Sequence, residues 1–183
     1  MKKGNDGNFH TDIEAVAKTI LTNKIVRAEF AAFIDKAYSG AIQGTRAAAA
    51  GFIGRDVAAF LKKNAGIDIG DSVTISLQAR LLNGPKAVRH GIAGNAVGSG
   101  GAHTILDALL YGQVYYESAT GNLIYLFPHS ANNLTKITVN PRLKIEGRSS
   151  NIWGPGIVNV QTIPNTPEKG DYRRILIDLQ KVK

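Results

Sequence analysis

Gln113-Val114-Tyr115-Tyr116-Glu117-Ser118-Ala119-Thr120-Gly121-Asn122-Leu123-Ile124-Tyr125-Leu126-Phe127 is the stretch that decides the fold class. Two runs rich in β-branched and aromatic residues flank Thr120-Gly121-Asn122, the composition of a tight turn. Two more such runs follow over residues 134–139 and 157–163, punctuated by Pro128, Asn140-Pro141 and Gly154-Pro155-Gly156. Strands so closely spaced leave no room for crossover helices, so they predict an antiparallel sheet. Upstream, Ser72-Val73-Thr74-Ile75-Ser76-Leu77 predicts another strand, and residues 104–111 predict a helix with Ile105, Leu106, Leu109 and Leu110 on its core face and Gly112 as its stop. Residues 174–179 are compatible with either a last strand or a short helix.

Towards the N-terminus the periodicity changes to that of helices. Thr11-Asp12-Ile13-Glu14 has the form of a capping box and predicts a helix start. Ile13, Val16, Ala17, Ile20 and Leu21 continue at helical spacing, and Val26, Phe30, Phe33, Ile34 and Ala37 repeat it before Ser39-Gly40. A third group, Val57, Ala58, Phe60 and Leu61, runs into Lys62-Lys63-Asn64-Ala65-Gly66, with cations in the last turn and glycine beyond. The expected architecture is α+β: a helical N-terminal region to about residue 65, then a small antiparallel-sheet domain. Residues 91–102, with five glycines, predict a mobile loop.

The 183 residues hold 22 Lys and Arg against 14 Asp and Glu, a formal charge of +8, and no cysteine. The missing thiols exclude disulfide frameworks, thiolate zinc sites, iron-sulfur clusters and cysteine nucleophiles. The positive balance favours nucleic acid or another polyanion as partner, although its excess is spread along the chain, as solubility alone would also have it. Met1-Lys2-Lys3 runs into Gly4-Asn5-Asp6-Gly7-Asn8 without an apolar segment, so no secretory signal is expected, and no apolar run approaches membrane-spanning length. No cofactor or metal is implied: the four histidines, His10, His90, His103 and His129, show no HExxH or i, i+4 pairing.

Catalysis would then rest on His, Lys, Arg, Tyr, carboxylates and hydroxyls. His90 follows Lys86 and Arg89 on a short helix and precedes the glycine loop. Neighbouring cations favour a neutral, base-competent imidazole and attract phosphate, whereas a bland reading makes His90 a helix-end cation. His103 and His129 are alternatives. Lys136 alternates with Thr135 and Ile137 on a strand, where it holds a phosphate if its face is concave and merely solubilises if it meets bulk water. Tyr115 and Tyr116 point to opposite faces, so one belongs to the core and the other is free to stack a base.

The order of these elements resembles the phage-associated nuclease domains grouped with barnase, EndoU, colicin RNases and RelE (the BECR fold). The matching run covers residues 57–163: helix Val57-Ala58-Ala59-Phe60-Leu61, strand Val73-Thr74-Ile75-Ser76, a helical stretch ending in His90, helix Ile105-Leu106-Asp107-Ala108-Leu109-Leu110 and four strands. The resemblance implies a leader over residues 1–55 for delivery or attachment and a nuclease-like α+β domain over residues 56–183. It implies a metal-independent endoribonuclease, an RNase toxin or an effector of a phage or mobile element. The catalytic residues it implies are His90, Lys136 and Thr162; beside it, the basic residues Lys86, Arg89 and Arg142 are expected to bind the phosphates of the substrate, and Tyr116 to stack a base. RNA, tRNA included, is the expected substrate. An acidic immunity or antitoxin protein and phage structural proteins are the other partners it suggests. No membrane partner is expected, and the location is bacterial cytoplasm, of the producing or the target cell, or a virion. A noncatalytic virion or nucleic-acid-binding protein is the alternative. Cleavage by 2′-hydroxyl attack needs a base, an acid and cations around the phosphate, which His, Lys, Arg and hydroxyls supply.

Overall fold

The computed structural model describes residues 5–70, 73–83, 101–146, 151–165, 173 and 176–179. Helices α1 (Asn5–Thr22) and α2 (Lys24–Tyr38) precede strand β1 (Ala47–Phe52), helix α3 (Arg55–Asn64), strand β2 (Thr74–Gln78) and helix α4 (Gly101–Tyr111). Strands β3 (Gln113–Glu117), β4 (Asn122–Ser130), β5 (Asn133–Glu146), β6 (Asn151–Pro164) and β7 (Ile177–Asp178) complete the chain. The strands form one seven-stranded sheet in the order β1-β2-β6-β5-β4-β3-β7. All described pairings are antiparallel except β2 with β6, which makes the sheet mixed.

Local chemistry sets the helix ends. The Asn23 side chain accepts from the backbone N–H groups of Ile25 and Val26 and so starts α2. Helix α3 begins at Gly54, which has no side chain to cap with, and the Glu14 carboxylate of α1 supplies the acceptor, taking the Arg55 N–H at 2.5 Å. Glu14 is therefore not the partner of a cap at Thr11: α1 starts six residues earlier, at Asn5, and its interior carboxylate serves a neighbouring helix. At the other end of α3, Gly66 adopts φ +67°, and the N–H groups of Ala65 and Ile67 both reach the Leu61 carbonyl. That left-handed turn closes the helix where Lys62 and Lys63 meet its negative end.

The helices cover one face of the sheet. Leu21, Phe30, Ile34 and Ala37 from α1 and α2, Leu61 from α3, and Ile105, Leu106, Ala108 and Leu109 from α4 form one core with Leu123, Tyr125, Ile137, Val139 and Val160. Packing therefore runs across residue 55, where a leader was expected to end: β1 lies in the sheet beside β2, and α1 and α2 share the core of the strands. The alanine run at 47–50 is part of that strand, narrow enough for Leu109 to sit against Gly51. The opposite face carries a smaller core of Tyr115, Ile124, Leu126 and Leu134, closed by Ile163 and Leu176. Strand β4 is thus buried on both sides, which explains its unbroken Leu123-Ile124-Tyr125-Leu126 run.

Asn140-Pro141 and Gly154-Pro155-Gly156 do not end strands as expected. Strands β5 and β6 run through both, with register shifts between Thr138 and Val139 and between Asn140 and Leu143. A proline at such an irregularity forgoes no ladder bond, and the missing side chain of Gly156 makes room for Leu143. Residues 174–179 contribute strand β7 through Ile177 and Asp178. No helix among the described residues is long and apolar enough to cross a membrane.

Arg27 fastens α2 to α4. Its guanidinium donates to Asp107 at 2.6 Å and to the Leu21 carbonyl at 2.9 Å, with only 12% of the side chain exposed. Removing it leaves Asp107 half-buried beside apolar neighbours. Arg27→Met is therefore expected to lower stability by about 2 kcal/mol, a figure below that of a fully buried pair because Asp107 keeps contact with water. Urea unfolding checks this, and a loss under half that size would mean the helices hold without the ion pair.

Candidate functional site

Lys136 sits near the start of β5, the central strand of the sheet, flanked by β4 and β6 and paired with Leu126 on one side and Gln161 on the other. Its neighbours Ile137 and Thr135 turn to the helices, so Lys136 projects from the opposite face together with Thr138, Asn159 and Gln161. The lysine is half-buried. Loss of water around the ammonium lowers its pKa from the ordinary 10.5, and the Glu117 carboxylate partly opposes that shift. An ammonium so placed holds an anion more firmly than one in bulk water, and a lowered pKa suits proton transfer.

Thr162 does not join it. Thr162 pairs with Thr135, one step along from the Lys136–Gln161 pair, and this parity puts it on the helix-covered side of the sheet. Of the expected catalytic residues, Lys136 and Thr162 are thus separated by the thickness of the sheet. His129, by contrast, is on the side of Thr162: its Nδ1 lies 3.4 Å from the Thr135 hydroxyl, directly across from Thr162. His103 stands exposed near the start of α4, where its Nδ1 accepts from Arg27 at 3.2 Å, leaving Nε2 to carry the proton. Lys86, Arg89 and His90, with residues 91–100 of the glycine-rich segment, lie outside the described residues, whereas Gly101 and Ala102, expected to end the loop, form the first turn of α4.

Neither tyrosine is free for a base. The Tyr116 ring meets Phe60 of α3 edge to face, with centroids 5.5 Å apart, while buried Tyr115 donates its hydroxyl to Gln113 at 2.7 Å. Stacking by Tyr116 was expected from single-strand alternation, which assumes that one sheet face is open; here both faces carry a core. Arg142 is exposed further along β5, within the second register shift, with its backbone N–H bonded to the Asn140 side chain.

Residues missed by sequence reading stand on the face of Lys136. Gln78 is completely buried, and neither atom of its amide has a hydrogen-bond partner; the Asn159 carbonyl oxygen is buried and unpartnered as well. Their signal in the sequence is slight, a polar residue at the end of one strand and another amid Val158 and Val160.

The chain matches no family model, no curated protein and no solved structure.

The lysine has a thermodynamic signature. Its folded pKa lies below its unfolded value, so between the two the unfolded chain binds more protons and stability rises with pH. Above about pH 10 the trend reverses, because burial pushes the Tyr125 hydroxyl upward and only the unfolded chain then loses that proton. Lys136→Met is expected to raise stability at neutral pH and flatten the alkaline rise below pH 10, as measured by urea unfolding between pH 7 and 10. An unchanged slope would mean that the ammonium is as well solvated folded as unfolded.

Proposed function

We propose that the chain is a metal-independent endoribonuclease, an RNase toxin or an effector of a phage or mobile element, with its phosphate site at Lys136. The observation that carries this reading is a half-buried lysine of lowered pKa at the centre of the sheet, on the face away from the helices. In the cleavage step the 2′-hydroxyl attacks the adjacent phosphorus, a base takes its proton, and an acid protonates the departing 5′-oxygen. Lys136 stabilises the charge that grows on the phosphate, and His90 moves the proton. Lys86, Arg89 and Arg142 supply further cations along the backbone of the RNA.

A second reading, a noncatalytic nucleic-acid-binding or virion protein, is favoured by the separation of Lys136 from Thr162 and by the packed state of Tyr116. Incubation of the purified protein with total RNA and tRNA in EDTA decides between them. Fragments ending in 2′,3′-cyclic phosphate support the nuclease. Intact RNA bound with a steep salt dependence, flattened by about one counterion for each of the four cations replaced, supports the binder.

A further inference from the structure

We propose that Gln78 and Asn159 form a base-reading subsite beside Lys136, selective for adenine; the placement of RNA on this face rests on the reading above, while the subsite itself rests on three unpartnered atoms. Gln78 Nε2, Gln78 Oε1 and Asn159 Oδ1 are the buried side-chain polar atoms without a partner among the described residues. All three belong to one side of the sheet. Ser76 of β2 pairs in parallel with Gly156 of β6, and the same register continued two residues brings Gln78 to the level of Val158, next in the chain to Asn159. Ser76 and Gln78 share a face by alternation, the one opposite Ile75 and Leu77, which enter the helix-side core. Asn159 pairs with Thr138, between helix-facing Ile137 and Val139, and so shares the face of Lys136. Asn159 is two residues from Gln161, the cross-strand partner of Lys136. Two residues span about 7 Å of strand, close to the spacing of a base from its own phosphate.

The chemistry of the three atoms is specific. A glutamine amide offers a donor and an acceptor side by side, which matches the N7 acceptor and N6 amino group of adenine. That amino group has a second proton, which the subsite assigns to Asn159 Oδ1, an unpartnered acceptor on the same face. Keto bases present an oxygen at this position and would leave both acceptors unpaired, the arrangement that discriminates most strongly. Gln78 and the Asn159 Oδ1 are enclosed in the free protein, so a base reaches these three atoms only when this face opens. Their unpaired state favours opening, because water or ligand then restores hydrogen bonds that the closed form lacks.

Binding of the full chain to short oligoadenylate, oligoguanylate, oligouridylate and oligocytidylate, and to adenosine alone, tests the assignment by titration calorimetry. The wild type is expected to prefer the adenine oligomer over the guanine and uracil oligomers by about 5- to 100-fold. Gln78→Met is expected to abolish that preference while raising the melting temperature, since it removes two unpaired atoms at nearly equal volume. Asn159→Ala is expected to weaken the preference without changing overall RNA affinity as Lys136→Met does. RNA binding with no base preference would overturn the subsite and leave the RNA reading standing. Adenosine binding lost in Gln78→Met, in a protein that binds no RNA, would support the subsite and reject the RNA reading. A lower melting temperature with the adenine preference intact in Gln78→Met would mean that the amides hold internal water, and would overturn the proposal.

Discussion

His90→Ala is expected to slow RNA cleavage by on the order of 100-fold or more while leaving RNA affinity and melting temperature nearly unchanged. Loss of a proton-transfer group raises the barrier and empties no core. Lys136→Met should also reduce turnover, but with weaker binding of RNA at low salt, because that ammonium meets the phosphate in the ground state as well as in the transition state. Single-turnover kinetics separate the two effects. Full activity in His90→Ala would return that residue to a helix-end role and move attention to His129, already oriented by Thr135 beside Thr162, and then to His103, whose Nδ1 is engaged by Arg27. The helix-end role has its own signature, a stability loss of a few tenths to about 1 kcal/mol with turnover intact.

Gly112→Ala is expected to destabilise the fold by about 3 kcal/mol, a fall in melting temperature of about 6–12 °C. Gly112 joins α4 to β3 with no intervening loop. A side chain there would run into the Ala108 carbonyl oxygen and come within 3.0 Å of the Leu126 carbonyl oxygen. Both are backbone atoms. The first accepts the Gly112 N–H at 3.0 Å, so neither helix nor strand has freedom to withdraw. Gly121→Ala provides the contrast: its φ of +75° strains a side chain, yet only the Tyr116 hydroxyl lies near, at 3.9 Å. That change is expected to cost about 1 kcal/mol. Equal stabilities of the two variants in urea would mean that the α4–β3 junction relaxes as a unit.

Much of the architecture was legible because local patterns were strong. The β3 and β4 runs, the α4 face and the lysine-glycine end of α3 each state their element within a few residues. The Ala47-Ala48-Ala49-Ala50 run carries no such pattern, since alanine fits either element, and it became a strand because β2 pairs with it and Leu109 needs the space above Gly51. The Glu14 signal misled for a related reason. A carboxylate three residues after threonine fits a capping box, but the uncapped Gly54 of another helix had the greater need of an acceptor.

The candidate site shows the same division more sharply. The two-residue period of the sequence alone determined that Lys136 lies opposite to Thr135 and Ile137, and that cleavage chemistry would have to use its cations, imidazoles and hydroxyls. It could not determine which residues of β6 stand beside Lys136, because a strand read by itself has parity but no register. Pairing across β5 and β6, set by where the ribbon turns and where each strand inserts an extra residue, put Gln161 next to Lys136 and sent Thr162 to the other face. Strand pairing also brought Gln78 and Asn159 to the face of the lysine, and burial by surrounding chain left the Gln78 amide and the Asn159 Oδ1 unpartnered. Alternation is a property of the chain; register and coverage arise only when strands meet, because one residue of slip exchanges every buried side chain for an exposed one.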